Sequence, residues 1–386
     1  MKILQVLGAG GEGGAETFFT QFTLALHRAR TQKQQGNISR GQISPSGFAK
    51  KTEDEVPEIE VPEIEVQEVE VQAVIRDNNT RVALFEAAGI ETVVLPFRKL
   101  LDFKTKRGLK RKIEEFKPDV VLTYMNRASS LCPKGDFLHV ARLGGYYKLK
   151  NYKNCDHLIG NTQDIVDYLK SVGWPEDRAH HVPNFASVSK DDLPVSRADF
   201  NTPDDATVLL SLGRLHENKA FDILLRAAKL ETRPYVWIAG EGPLRAELET
   251  LAKELGIDER VRFLGWRNDR GALLAAADIC VFPSRFEPFG SVMIEAWATK
   301  TPLITTRTAG PEEMATHNED ALMVEVDNYT ELAQAITRVM DDKDLAARLV
   351  TAGWESYQKS YTEEACVGNY IELFTKLLER EKGTVS

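Results

Sequence analysis

The sequence predicts an α/β protein of two Rossmann-like, doubly wound parallel-sheet domains facing each other across a cleft. Three observations carry that expectation. The chain has 386 residues, a natural length for two domains. Short apolar runs alternate with helical patterns through both halves. Nearly every apolar run of the second half exits into glycine or polar residues, and the carboxyl ends of strands are where such sheets bind ligands.

Composition narrows the class. Hydrophobic residues make up 42% and charged residues 28%, ordinary values for a soluble globular protein. No apolar run reaches membrane-span length, and Lys2 to Leu7 begins a strand rather than a signal-peptide layout. Cys132, Cys155, Cys280 and Cys366 are scattered without CxxC spacing, so they read as reduced core thiols of a cytoplasmic protein. The net charge of -9 is local: residues 53–70 hold nine acidic side chains and no basic one, and the remainder balances at 49 against 49. The net charge therefore says nothing about the partner; no nucleic-acid partner is expected.

The first half opens with the strand Lys2–Leu7, a loop from Gly8 to Glu16, and a helix bearing Phe18, Phe19, Phe22, Leu24 and Leu26. Gly8, Gly10 and Gly13 match GxGxxG, a weak signal because any tight strand-to-helix turn favours glycine. Residues 31–72 interrupt the rhythm. Thr31 to Gly47 is polar, and Val56-Pro57-Glu58-Ile59-Glu60 then repeats at 61–65. Prolines and like charges oppose sheet pairing there, so 31–72 reads as an acidic, flexible insertion, with a strand resuming at Val71 to Ile75. Strands are expected at Thr92–Leu95, Asp119–Tyr124, Phe137–Leu143 and His157–Gly160, and helices at Thr80–Ala88, Gly108–Phe116 and Gln163–Val172. Residues 1–186 form the expected N-terminal Rossmann-like domain and 187–205, with Pro194 and Pro203, the linker.

The second half repeats the pattern over 206–360. Strands at Thr207–Leu212, Tyr235–Ala239, Val261–Leu264, Ala277–Phe282, Pro302–Thr305 and Ala321–Val324 lead into Gly213-Arg214, Gly240-Glu241-Gly242, Gly265, Glu287 to Gly290, and Ala309-Gly310. Helices are expected at Phe221–Leu230, Leu244–Leu255, Asp269–Ala276, Tyr329–Asp341, Leu345–Tyr357 and Glu363–Arg380. The decisive stretch is Pro283 to Ala298. A turn punctuated by Pro288 and Gly290 precedes a helix for which Ser291 is the expected N-cap. A helix N-terminus suits phosphate. Glu287 and Glu295 add fixed acceptors beside it, which suits a ligand rich in hydroxyls as well as phosphate, such as a sugar nucleotide. Arg214 and Lys219 flank a neighbouring turn, where both can reach a diphosphate.

In this order the motifs resemble the retaining GT-B glycosyltransferases of family 4. The matching elements are Gly13-Gly14-Ala15-Glu16, Gly213-Arg214-Leu215 with Lys219, Gly240-Glu241-Gly242-Pro243, Phe263-Leu264-Gly265, Glu287-x7-Glu295 and Ala309-Gly310-Pro311-Glu312. The resemblance spans the chain apart from 31–72. It implies that Arg214 and Lys219 neutralise the donor diphosphate and that Glu287 contacts the transferred sugar. It gives the ribose hydroxyls to Glu295. Backbone N–H groups of Phe289, Gly290, Ser291 and Val292 would hold sugar and phosphate, and those near Arg262 and Phe263 the base. Gly13, Gly14, Gly213 and Gly242 would let backbone approach the donor. The implied donor is a nucleotide-diphosphate sugar, a UDP-sugar first among them, with no metal; the final helix, 361–386, would cross back to the first domain. Asp342-Lys343-Asp344 is a formal DxD, but its position between helices makes Asp342 a cap.

One departure stands out. Many members carry a histidine after the strand placed at Phe137–Leu143, where this chain has Gly144-Gly145-Tyr146-Tyr147. His139, inside the strand, reads as a packed side chain. The polar candidates for the sugar or acceptor side are then Asn126, Arg127 and Arg142.

Arg98 to Lys117 holds nine basic residues, interleaved with Leu100, Leu101, Phe103, Leu109, Ile113 and Phe116. Two readings stay open: a solvated helix face, or a peripheral membrane contact suited to a lipid-linked acceptor or lipopolysaccharide precursor at the inner face of the cell membrane. Two other functional classes remain. The GxGxxG glycines suit an NAD-dependent oxidoreductase, which needs an acidic residue closing the second strand, where Asp77 is too distant unless the insertion loops out. The absent histidine suits a non-catalytic sugar-nucleotide binding protein.

Overall fold

The computed structural model describes residues 1–11, 13–34, 68–98, 101–188 and 191–383. The acidic insertion expected at 31–72 lies outside them apart from its ends; at its start the first helix runs on to Gln34, where a loop was expected. The chain forms two compact units. One comprises residues 1–161, 165–182 and 363–386, and the other residues 162–164 and 183–362.

The first unit is a seven-stranded sheet, every adjacent pair parallel. In chain order its elements are β1 (Lys2–Leu7), α1 (Gly14–Gln34), β2 (Glu70–Arg76), α2 (Asn79–Ala87), β3 (Thr92–Leu95), α3 (Phe103–Phe116), β4 (Val120–Tyr124), α4 (Met125–Leu131), β5 (Leu138–Leu143), β6 (His157–Gly160), α5 (Gln163–Ser171) and β7 (Ala179–His181). The strand order is β3-β2-β1-β4-β5-β6-β7, so the order reverses between β1 and β4. The central strands read as unbroken apolar runs because helices cover both faces, and every residue of β4 and β5 is buried. The C-terminal helix Glu363–Gly383 packs on α1 within this unit. Arg28 grips Glu363 through two hydrogen bonds of 2.9 and 2.5 Å, and the rings of Phe22 and Tyr370 lie 4.4 Å apart.

The second unit is a six-stranded parallel sheet. Its elements are β8 (Val208–Leu212), α6 (Phe221–Leu230), β9 (Tyr235–Ala239), α7 (Arg245–Glu254), β10 (Val261–Gly265), α8 (Arg270–Ala276), β11 (Ile279–Phe282), α9 (Ser291–Ala298), β12 (Leu303–Thr306), α10 (Ala309–Met314), β13 (Leu322–Val324), α11 (Tyr329–Asp341) and α12 (Lys343–Ser360), with Glu363–Gly383 of the first unit as α13. The order is β10-β9-β8-β11-β12-β13 and reverses between β8 and β11. One core layer packs α6, α7 and α11 on the sheet through Leu224, Leu248, Ile336 and Val339, and the other packs α8 and α9 through Leu273, Met293 and Trp297. The segment 187–205 belongs to this unit: Arg197 donates to the Ala276 carbonyl and to Asp278, and Phe200 packs edge-on against Trp237.

Long periodic elements fall where the pattern predicts. Three short ones were not anticipated: α4, α10 and β7. Each is three to seven residues, too short for a helical period or a strand alternation to register. Helix α3 starts five residues before the expected Gly108, because Asp102 caps it by accepting from the Thr105 N–H at 3.1 Å. Asp342 caps α12, accepting from the Leu345 N–H at 2.9 Å, as its position in the formal DxD implied. All four cysteines are free and buried. Among the described residues, no helix is long and apolar enough to cross a membrane.

Candidate active site

Ligands of doubly wound sheets collect where the strand order reverses, because adjacent loops there diverge to opposite faces and leave a crevice. In the second unit this point lies between β8 and β11. The exit of β8 carries Gly213, Arg214 and Lys219, and the exit of β11 runs from Pro283 to Gly290. Tertiary structure thus makes neighbours of two motifs far apart in sequence.

The loops are stitched together by their own backbones. The Gly213 N–H donates to the Ala239 carbonyl at 3.0 Å and the Leu215 N–H to the Glu241 carbonyl at 3.0 Å. Gly240, at φ 152°, passes so close that a Cβ there would lie 1.8 Å from the Gly213 oxygen. On the other side, the Gly310 N–H donates to the Glu287 carbonyl at 2.9 Å, and a Cβ at Gly310 would lie 2.6 Å from the Phe289 oxygen. Arg285 fastens the β11 loop to the β8 loop. Its backbone N–H donates to the Asn218 carbonyl at 2.8 Å, and its guanidinium engages Asp222 at 2.7 and 2.9 Å and Asp327 at 2.5 Å.

Within this frame Lys219 forms an ion pair with Glu287, and its ammonium lies 4.9 Å from the centre of the Phe282 ring. The second Glu287 oxygen accepts the Gly290 N–H at 3.1 Å, leaving the carboxylate 13% exposed. Arg214 is exposed, and its side chain has no hydrogen-bond or ion-pair partner among the described residues. Helix α9 starts at Ser291, so the expected cap is displaced by one residue. Gly290, at φ 92°, occupies the cap, and no side chain caps the helix. The first-turn N–H groups therefore carry no side-chain acceptor, which strengthens an anion site over the expected arrangement. Phe289 and Val292 are buried in the adjoining core.

Glu295, one turn along α9, is 1% exposed. One oxygen is ion-paired with Arg270 Nη1 at 3.0 Å and accepts a hydrogen bond from Ser187 Oγ at 3.2 Å. Burial pushes its carboxyl above the usual carboxylate range, against the pull of Arg270 and Ser187. Nothing in the sequence singled out Arg270 or Ser187. Neither lies in a motif, and each reaches Glu295 only through the fold.

The remaining donor-side residues fall around the sheet edge. β10 is an edge strand, and a depression of about 610 Å³ runs beside it, lined by Phe200, Arg245, Lys253, Arg262 and Phe263 among others. It lies off the β8–β11 crevice. The Arg262 guanidinium is committed to the carbonyls of Phe200 and Asn201 at 2.8 and 2.7 Å, so any contact this residue makes with a base falls to its backbone. Gly242 abuts Leu215, where a Cβ would lie 2.3 Å from the carbonyl oxygen.

In the first unit, Gly13 accepts the Thr17 N–H at 2.8 Å and Gly14 opens α1. Asn126 and Arg127 lie in the first turn of α4 at the exit of β4, beside β1. The Asn126 side-chain oxygen is buried without a hydrogen-bond partner, and Arg127 donates to the Phe97 carbonyl at 2.8 Å. Arg142 departs from its expected place on the ligand side. It is 3% exposed, with its guanidinium 4.5 Å from the Phe18 ring centre and Tyr370 beside it. A side chain at Gly144 would come within 2.9 Å of Arg142 Nη1, so the guanidinium fills the space where a histidine was expected. His139 is packed as expected: Nδ1 meets the Asn154 carbonyl at 2.9 Å, and burial pulls its pKa down to about 4. The insertion is bypassed by the pairing of β2 with β1, which sets Asp77 directly after β2, next to Asn78, whose amide donates to the Gly10 carbonyl at 3.2 Å. The distance objection to Asp77 thus falls, and the dinucleotide reading must be judged on family. Among the described residues, no group of three His, Cys, Asp or Glu side chains is arranged to hold a metal ion.

Two parallel-sheet units, each reversing its strand order at the middle, have the architecture of the GT-B glycosyltransferase fold. HepE of Anabaena, solved with UDP and glucose, has this fold: its TM-score is 0.75 at 18% identity, covering 97% of this chain and 100% of that one. Residues 194–355 match the family model described as Glycosyl transferases group 1. The chain is 34% identical over 380 residues to the lipopolysaccharide core biosynthesis glycosyltransferase LpsD of Rhizobium meliloti, covering 97% of this chain and 98% of that protein. It is 32% identical over 367 residues to LpsE of the same organism, covering 94% and 96%. The chain belongs to this glycosyltransferase family, and the NAD-dependent oxidoreductase is set aside.

Proposed function

We propose that this protein transfers a sugar from a nucleotide-diphosphate sugar, a UDP-sugar first among candidates, to a glycan or lipid-linked acceptor in lipopolysaccharide core synthesis. The observation that carries the chemistry is the Lys219–Glu287 pair at the β8–β11 switch point, set against an α9 N-terminus that no side chain caps. The naming of LpsD and LpsE as core biosynthesis enzymes supports the pathway, and HepE with UDP and glucose supports the donor class.

In the proposed reaction the bond from the anomeric carbon to the phosphate oxygen breaks through an oxocarbenium-like state. The leaving diphosphate gains negative charge. Arg214, Lys219 and the α9 N-terminus stabilise that charge without a metal ion. The acceptor hydroxyl attacks the same face of the sugar, its proton passes to the departing phosphate, and configuration is retained. Glu287 holds sugar hydroxyls, and Glu295 the ribose.

Helix α3 supports a peripheral membrane contact at the cytoplasmic face. Its solvent side carries Lys104, Lys106, Arg107, Lys110 and Arg111, next to Leu101 and Phe103, which are 84% and 72% exposed. Lys112 does not contribute, because it is buried and paired with Glu91; Lys99 and Leu100 lie outside the described residues. The cations suit anionic headgroups and the two apolar side chains suit the headgroup boundary.

The test is a thermal-shift panel of UDP, GDP, ADP and NAD, followed by transfer from the sugar form of the nucleotide that stabilises. Stabilisation by UDP is expected, and stabilisation by NAD alone would overturn the reading.

A further inference from the structure

Resting on the ribose assignment of Glu295, we infer that Arg270 and Ser187 are positioning residues: they hold one oxygen of the Glu295 carboxylate so that the other is presented to the hydroxyls of the bound nucleotide. The three side chains close a ring of contacts. Arg270 Nη1 forms an ion pair with Glu295 Oε1 at 3.0 Å, Ser187 Oγ donates to the same oxygen at 3.2 Å, and Arg270 Nη2 donates to Ser187 Oγ at 2.7 Å.

Glu295 Oε2 is buried and has no hydrogen-bond partner. A buried carboxylate oxygen without a donor is costly, and native structures seldom leave one unmet. A carboxylate oxygen can accept two hydrogen bonds, which is what a vicinal diol offers.

The placement of Arg270 points the same way. It is the first residue of α8, where the helix dipole disfavours a cation. Asp269, the preceding residue, does not offset this by capping, because its carboxylate is engaged by Arg267 at 2.8 and 2.5 Å. Arg270 therefore gains nothing from its own helix, and its favourable contacts are Glu295 and Ser187. Among the described residues, the Cys280 thiol of β11 also faces Glu295, and burial keeps it neutral; the Asp192 carboxylate lies against α8 at Gly271, next to Arg270. Among the described residues, Arg270 is the cation that favours the charged carboxylate.

If Arg270 is removed, the buried carboxyl protonates more readily. A protonated carboxyl accepts fewer hydroxyl hydrogen bonds, so recognition of the ribose becomes pH-dependent.

The experiment is calorimetric binding to the full chain of UDP, GDP and ADP, each against its 2′-deoxy form, between pH 6 and 8. The variants are Arg270→Ala, Arg270→Lys and Ser187→Ala, with melting curves to confirm folding. The wild type should prefer the ribonucleotide by roughly tenfold or more at every pH. Arg270→Ala should lose most of that preference, with the remainder growing as pH rises. Arg270→Lys should recover part of it, and Ser187→Ala should lose a smaller share. An Arg270→Ala protein that keeps the full preference and a flat pH profile overturns the inference. A wild type indifferent to the 2′-hydroxyl overturns the ribose assignment and the inference together. A wild type that binds none of the three nucleotides overturns the donor reading.

Discussion

Lys219 and Glu287 lie 68 positions apart and form an ion pair that joins the exits of β8 and β11, two strands adjacent in the sheet. The pair places a cation and a carboxylate at the reversal of strand order. Glu287 is further fixed by the Gly290 N–H, and its own carbonyl by the Gly310 N–H. A carboxylate held at two points is oriented rather than merely solvated.

Glu287→Gln should lower kcat by about 100-fold or more while nucleotide affinity changes little, because the lost charge acts on the sugar. Initial rates with radiolabelled donor, alongside calorimetric binding of the nucleotide, check this. A protein that binds nucleotide but performs no catalysis would show no transfer or donor hydrolysis for Glu287→Gln to reduce.

Lys219→Ala should weaken donor binding and slow the chemical step together, by about 10²–10³-fold in kcat/KM. The lysine meets charge in the bound diphosphate and more in the departing one. A change confined to KM would show that Lys219 binds without stabilising the transition state.

Gly240→Ala should destabilise the second unit by about 1–3 kcal/mol or more. The added Cβ would sit 1.8 Å from the Gly213 oxygen, at a φ of 152° that L side chains rarely adopt. Urea melts followed by tryptophan fluorescence report it, since Trp237 and Trp297 are buried in this unit. An unchanged midpoint would contradict the close approach of the two loops.

Replacing Lys106, Arg107, Lys110 and Arg111 with Glu should abolish flotation with vesicles containing anionic lipid, each cation contributing about 1 kcal/mol. Leu101→Ser with Phe103→Ser should leave low-salt flotation but make it fail as salt rises. Recovery equal to that of the wild type in both variants would remove the membrane contact.

Stability of the first unit should fall as pH drops from about 6.5 to about 4. His139 has its pKa lowered from 6.5 to about 4 by burial, so the unfolded chain takes up a proton that the folded one refuses. The contribution is fully present above the unfolded value and is lost progressively down to the folded one, a change on the order of 3 kcal/mol. His157 has its pKa lowered to about 4 by burial and by neighbouring His180, and it acts in the same direction. Denaturant midpoints against pH for the wild type and His139→Gln check it, the variant having the flatter profile.

Much of this protein was readable from local pattern. Helix Phe221–Leu230 and strands Tyr235–Ala239 and Thr92–Leu95 fall at their expected bounds, because hydrophobic periodicity and flanking turn residues act within one element. α4 and α10 did not show, since a six- or seven-residue helix spans fewer than two turns, too few for an apolar face to repeat. The position of Asp77 turned on whether the insertion loops out, which residue spacing leaves open and the pairing of β2 with β1 decides.

The sequence by itself determined the two-sheet class, the glycine-marked strand exits and the candidate residues, Lys219 and Glu287 among them. Those follow from residue type and spacing, which the chain carries openly. Tertiary structure decided which groups meet. It put Lys219 on Glu287, turned Arg142 beneath Phe18 and Lys112 onto Glu91, made Gly290 the cap of α9, and gave the buried Glu295 its partners Arg270 and Ser187. The reason is physical. Side-chain direction and burial are set by neighbours that sequence separation does not reveal, and a carboxylate's charge depends on which of those neighbours it meets.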